Sequence, residues 1–434
     1  MNSPTDPDQD PFLQRYLGYL DASPSPYHAV ESAATTLQDA GFQRVDRREE
    51  WPTGPGKSFF TEQGALIAWV APTDKPASFA IAATHSDSPS LKLKPVPQRT
   101  SSDGWGQLMV EIYGSPLLNS WLDRELLIAG QVVDQDGKKH LVRTPPIARV
   151  VQLAPHFDRQ VNTNGLVLDP QQHMQPVWTV NEPEADVMEV AAHSAGLTGR
   201  DDIAAYDLFL YPSQEAATFG STGQFVAAGR QDNLSSTFAA LDAFASLEVG
   251  RQETPSRVPV FAVFDHEEVG SGTATGARGP LLLSSLKRIG WASGLTAEQF
   301  EQALAASSVI SADASHSVNP GYPEKHDPDT RPVMGLGPIL KVDADQNYAT
   351  GAPGSALWLA VCKRAGFESQ HFVSESSMRS GSTIGPAISA LLGTPTVDVG
   401  IPLLAMHSAR EMSHALDTEL LSRALGVYWV SEES

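Results

Sequence analysis

A chain of 434 residues exceeds what one compact core usually serves, so two domains are expected. Its 30 Lys and Arg against 51 Asp and Glu give a formal charge of -21, which argues against nucleic acid or an anionic membrane as partner. A single cysteine, Cys362, excludes an internal disulfide, and no apolar stretch is long enough to span a bilayer.

Met1 to Asp10 reads as a disordered acidic tail. It lacks the basic start and apolar run of a secretory signal, so a cytoplasmic protein is expected. Apolar residues recur at helical spacing over Phe12 to Leu20 and Tyr27 to Ala40, and Ser25-Pro26 supplies a start for the second helix. Ala65 to Val70 and Ser78 to Ala83 are short apolar runs that predict buried strands. From about Pro95 to Ala228 the character changes. Strand-like pieces such as Leu126 to Val133 and Ala148 to Leu153 are joined by Gly, Pro, Asn and Asp, and only Glu182 to Ala195 has helical spacing. Residues 95–228 therefore read as a mostly β domain inserted into a first domain made of 1–94 and 229–434. Beyond Arg230 strands and helices alternate: Leu234 to Leu247 predicts a helix, and Ser308 to Ser311 and Thr396 to Val399 predict strands. Val258 to Phe264 is apolar throughout, as in a parallel strand covered on both faces. This alternation implies an α/β layer fold.

The His and acidic residues fall in a pattern on these elements. His85-Ser86-Asp87 follows the strand-like Ile81 to Thr84, and Asp265-His266-Glu267-Glu268 follows Phe261 to Phe264. Asp313 follows Val309 to Ser311, His407 lies in the loop after Val397 to Val399, and Asp232 stands just before a helix. All five places lie at the carboxyl end of a strand or the start of a helix, the edge where open α/β sheets bind ligands. Two histidines with several carboxylates make a ligand set for zinc or a similar divalent ion. Asp87 is placed to take the other ring N–H of His85. Adjacent carboxylates at Glu267 and Glu268 point different ways, so one can bind metal while the other handles protons. His140, His173 and His193 read as surface residues, and His266 neighbours the site without a role.

With these segments the chain resembles the aspartyl aminopeptidase family of metallopeptidases, from about Phe12 to Trp429. The resemblance is carried by Ala83-Thr84-His85-Ser86-Asp87-Ser88-Pro89, Trp121 to Leu126, Gln231-Asp232-Asn233, Phe264 to Ser271, Ser311-Ala312-Asp313, Gly381 to Pro386 and Met406 to Glu411. It implies a catalytic α/β domain, its mixed sheet covered by helices on both faces, with an inserted β-rich dimerisation domain and assembly of dimers into a dodecamer. It implies two zinc ions per subunit, bridged by Asp232, one completed by His85 and Asp313 and the other by Glu268 and His407. Glu267 would be the general base and Asp87 the partner of His85. His156 would reach a neighbouring subunit's active site, and His316 and Lys341 would lie near an acidic substrate side chain. The chain departs from the family at Asn347, at Met378-Arg379-Ser380 and at Asn319, positions that bear on substrate preference and intersubunit contacts rather than on the metal ligands.

The expected activity is release of N-terminal residues, Asp or Glu foremost, from peptides with a free N-terminus. Manganese or cobalt would suit the same ligands. The alternatives are a related two-metal hydrolase (a neutral-residue aminopeptidase, a carboxypeptidase or a deacylase) and a non-enzymatic shell or binding protein of the same fold.

Overall fold

The computed structural model describes residues 9–250 and 256–430. Most of the expected N-terminal tail lies outside the described residues. Asp10 is described, and its side chain accepts from Phe12 N and Leu13 N to cap the helix Pro11–Ala22. Ser25 does the same for Pro26–Asp39 by accepting from His28 N, with Pro26 in the first turn.

A nine-stranded mixed sheet organises the chain. Its order is Gln43–Arg44, Gly56–Glu62, Ala65–Ala71, Arg257–Phe264, Ser78–His85, Ser308–Ala312, Thr396–Gly400, Ile339–Lys341 and Gln370–Phe372. The four strands from Arg257–Phe264 to Thr396–Gly400 run parallel. Alternate residues of each strand face opposite ways, and the two resulting faces carry separate apolar cores. Ala80, Ala82, Phe261 and Val263 meet Phe244, Trp358 and Trp429 from helices on one face. Phe79, Ile81, Val260 and Ala262 meet Leu286, Phe300 and Ile388 from helices on the other. Covered on both sides, these strands need no polar face, which is why they read as continuous apolar runs.

Arg257–Phe264 meets the expectation of a doubly covered parallel strand on one side and departs from it on the other. It is fully buried, yet it is parallel only to Ser78–His85 and antiparallel to Ala65–Ala71. Two-sided burial sets the composition of a strand and says nothing of its neighbour's direction.

A second, seven-stranded sheet is built from residues between Ser90 and Pro212. Its strand Ile203–Pro212 pairs with both Ser90–Thr100 and Glu125–Asp134, so the sheet closes on itself around Leu108, Ile128 and Leu208. The expected strand over Ala148 to Leu153 is reduced to Ala148–Arg149; Val150 is buried and bridges to Leu122, and the exposed Val151 to Leu153 leave the sheet. The expected helix over Glu182 to Ala195 is confined to Val187–Ser194, because Asp186 turns its side chain onto Met188 N and starts the helix there.

The crossing of chain segments at the centre is tight. A Cβ added to Gly400 would stand 1.5 Å from the backbone oxygen of Asp313. Backbone cannot swing aside as a side-chain tip can, so Gly400→Ala is expected to cost about 3 kcal/mol or more, the upper end for overpacking. Thermal unfolding of the variant checks this, and an unchanged Tm would contradict it.

Candidate metal centre

The parallel register sets Phe264 beside His85, so the residues after both strands emerge at one edge of the sheet. His85 ends its strand, and Glu267 and Glu268 form a single turn, Glu267–Val269, three residues beyond Phe264. Asp313 follows Ser308–Ala312 directly. Asp232 lies in the first turn of Gln231–Ala245, where the Asp232–Asn233 peptide is cis. His407 arrives from the loop after Pro402–Leu403. His266 and His407 hold φ of 62° and 65°, a left-handed conformation that costs a non-glycine residue on the order of 1 kcal/mol or more.

Asp232 stands at the centre. Its Oδ1 lies 3.5 Å from His85 Nε2, and its Oδ2 lies 3.3 Å from His407 Nε2. His85 Nε2 is also 3.2 Å from Asp313 Oδ1, and His407 Nε2 is 3.5 Å from Glu268 Oε2. Two groups result, His85–Asp232–Asp313 and Asp232–Glu268–His407, which share Asp232. A third group joins His85 to Glu267 and Glu268.

The opposite ring nitrogens are fixed by acceptors. His85 Nδ1 faces the Asp87 carbonyl at 3.1 Å and its Oδ1 at 3.4 Å, and His407 Nδ1 faces the Ser115 carbonyl at 3.0 Å. Neither a carbonyl nor a carboxylate donates, so each Nδ1 carries a proton; each Nε2 also faces only carboxylates, which hold the rings in the charged form, and a metal ion there would take the place of the Nε2 proton. Asp87 is itself held by Tyr113 Oη at 2.7 Å and by the N–H groups of Glu267 and Glu268 at 3.0 and 3.1 Å. One buried carboxylate thus orients His85 and seats the Glu267–Glu268 turn.

The charges suit a cation between these groups. Burial, with the neighbouring carboxylates of Asp313 and Asp232, pushes the Glu267 carboxyl up to about 8 against the pull of His85. Burial and Asp232 push Glu268 well above the usual carboxylate range. His407 goes the other way: burial opposes its charge, but Asp232 and Glu268 raise it to about 10. Among the described residues, Asp232 Oδ1 and Glu268 Oε1 are buried without a hydrogen-bond partner. Both are costly as they stand, and a divalent ion between hard carboxylate and imidazole ligands satisfies both. The residues present therefore fit zinc.

Sequence reasoning gave no role to Glu411. It is buried, and its two oxygens accept from Asp232 N at 3.0 Å and His407 N at 2.7 Å, tying two site segments together. A side chain that works on backbone N–H groups leaves no spacing signature.

His316 borders a cleft of about 350 Å3 whose floor includes Tyr348, Phe372 and Leu403 and which reaches Met406, next to His407. The ring is open to the cleft, yet the surrounding protein, helped by the Lys341 charge, lowers its pKa to about 4. Lys341 is buried at 2% exposure: its ammonium donates to the Ala314 carbonyl at 2.7 Å and lies 3.8 Å from Asp313 Oδ2. It sits behind the cleft rather than in its lining. His156 is exposed on the irregular stretch after Val150 and joins none of the three groups. His173 and His193 are exposed, while His140 is half-buried with Nε2 2.7 Å from Asp134 Oδ2.

Residues 19–429 match the family model of the aminopeptidase I zinc metalloproteases, M18. The chain is 44% identical over 414 residues to the "Probable M18 family aminopeptidase 2" of Streptomyces coelicolor, covering 94% of this chain and 95% of that one. Among solved structures it is similar to a chain of the Ape4 and Nbr1 complex, with a TM-score of 0.91, 31% identity and coverage of 96% of this chain and 85% of that one. It is also similar to the S. cerevisiae mApe1 dodecamer, with a TM-score of 0.83, 26% identity and coverage of 96% and 95%.

Proposed function

Since this chain belongs to the M18 family of zinc metalloproteases, we propose that it is a two-zinc aminopeptidase that releases Asp or Glu from the free N-terminus of peptides. The observation that carries this reading is the division of the Asp232 carboxylate, one oxygen toward His85 and the other toward His407. Asp232 would bridge two ions, His85 and Asp313 would complete one, and Glu268 and His407 the other. Zinc bound there supplies Lewis acidity toward the scissile carbonyl and brings the ionisation of water toward neutral pH.

The chain's own residues do the rest. Glu267 takes the proton of the attacking water and returns it to the leaving amine. Asp87 and Glu411 hold His85, His407 and the Glu267 turn in register, so the groups are placed before substrate arrives. His316 faces the first side chain, and Lys341 contributes a positive field from behind, through which an acidic residue is favoured.

Residues 95–228, which hold most of the closed sheet, are proposed as an inserted dimerisation domain, with 1–94 and 229–434 as the catalytic one, in a homo-oligomer of dodecameric type working in the cytoplasm. Phe157, exposed at 81%, directly follows His156, and Val167, exposed at 84%, lies further along the same stretch; large apolar side chains so open favour a protein partner. A second subunit would receive His156, which then donates to the developing oxyanion.

The test is hydrolysis of peptides with varied first residues, with free and blocked N-termini, before and after zinc, manganese or cobalt is restored to stripped protein. Expected are cleavage only after metal is restored, none of blocked peptides, and a preference for Asp and Glu that Lys341→Ala diminishes. Cleavage of blocked peptides would point instead to a carboxypeptidase or deacylase. Absence of cleavage with every metal would point to a non-enzymatic protein.

A further inference from the structure

The cleft beside His316, at about 350 Å3, has more room than a single aspartyl side chain fills. Its lining includes two cations from different segments, Lys325 and Arg379, whose exposure sets them at its rim. Both are exposed, and among the described residues neither makes an ion pair or a side-chain hydrogen bond. The two segments are held side by side by an antiparallel bridge between His326 and Ser374, and His326 Nε2 accepts from Asn319 N at 3.0 Å. Glu375, the acid in the same lining, is already engaged by Ser377 N at 3.0 Å and by the Ser377 hydroxyl. In a chain of net charge -21, two uncommitted cations converging on one cleft form a local reversal of sign.

We propose that Lys325 and Arg379 form a second cationic subsite, which takes a carboxylate on the peptide beyond its first residue. The inference rests on the aminopeptidase reading. A substrate's free amine seats at the acidic cluster, and its first side chain ends near His316 and Met406, which adjoin that cluster. The second and third residues of the peptide then pass the rim. The planar guanidinium of Arg379 offers a two-pronged match to a carboxylate, and Lys325 adds a mobile point charge. Both are open to water, so the gain is moderate and falls with salt.

The experiment compares kcat/KM for the C-terminally amidated peptides Asp-Ala-Ala, Asp-Glu-Ala and Asp-Ala-Glu at low and high salt, using metal-loaded protein. The acidic peptides are expected to be better by about 3- to 10-fold at low salt, mainly through KM, as for one or two exposed ion pairs. That ratio should fall toward one in the Lys325→Met, Arg379→Met double variant and reverse in Arg379→Glu. Equal cleavage of the three peptides by the unaltered protein, or a ratio that survives in both variants, overturns the inference alone. Failure to cleave any of them overturns the aminopeptidase reading and the inference with it.

Discussion

Glu267→Gln is expected to lower kcat by about 100- to 10,000-fold, the usual contribution of a positioned proton carrier. The amide keeps the shape of the side chain and leaves the Glu267 N–H on Asp87, so the turn that also carries Glu268 should keep its place. The loss is the capacity to accept a proton from water and pass it on. Zinc content, measured by elemental analysis, should stay unchanged, because Glu267 is outside the two groups that share Asp232. A variant that loses metal together with activity would make Glu267 a ligand. One that keeps its rate would move the base elsewhere.

Asp232→Ala should empty the site. Each oxygen of Asp232 serves a different group, so on the two-zinc proposal bound zinc is expected to fall from two per chain to well below one. Asp313→Ala removes a ligand from one group only, and its zinc content should fall toward one. The readout does not depend on catalysis. A ligand present at a thousand times its Kd stabilises a fold by about 4 kcal/mol, so the rise in Tm that zinc gives the unaltered protein should be absent in Asp232→Ala. Equal zinc content in both variants would remove the bridging role.

The site's position could be read from sequence because its residues come directly after apolar runs whose end marks the edge of a sheet. His85 after Ile81 to Thr84, and Asp313 after Val309 to Ser311, are examples, and the structure sets both at that edge. Residues whose neighbours are distant in the chain left weaker traces. Glu411 bonds backbone that any residue would carry. Lys341 ends a three-residue strand between two others, and nothing local announces that its ammonium lies buried beside Asp313. Glu182 to Ala195 has helical spacing throughout, but spacing alone does not register that Asp186 caps the helix partway along. The closure of the second sheet depends on Ile203–Pro212 meeting two strands at once, a fact of tertiary pairing with no local pattern.

The order of strands also bears on how the protein is made. Ala65–Ala71 and Ser78–His85 are consecutive in the chain but not neighbours in the sheet, because Arg257–Phe264 lies between them. A ribosome therefore releases two strands destined for burial along all or nearly all of their length long before the segment that joins them exists. Until residue 264 has emerged, the growing chain holds open strand edges of the kind that pair with the wrong partner. Such a chain calls for chaperone protection during synthesis, and a product truncated before Arg257 should aggregate rather than fold into half an enzyme.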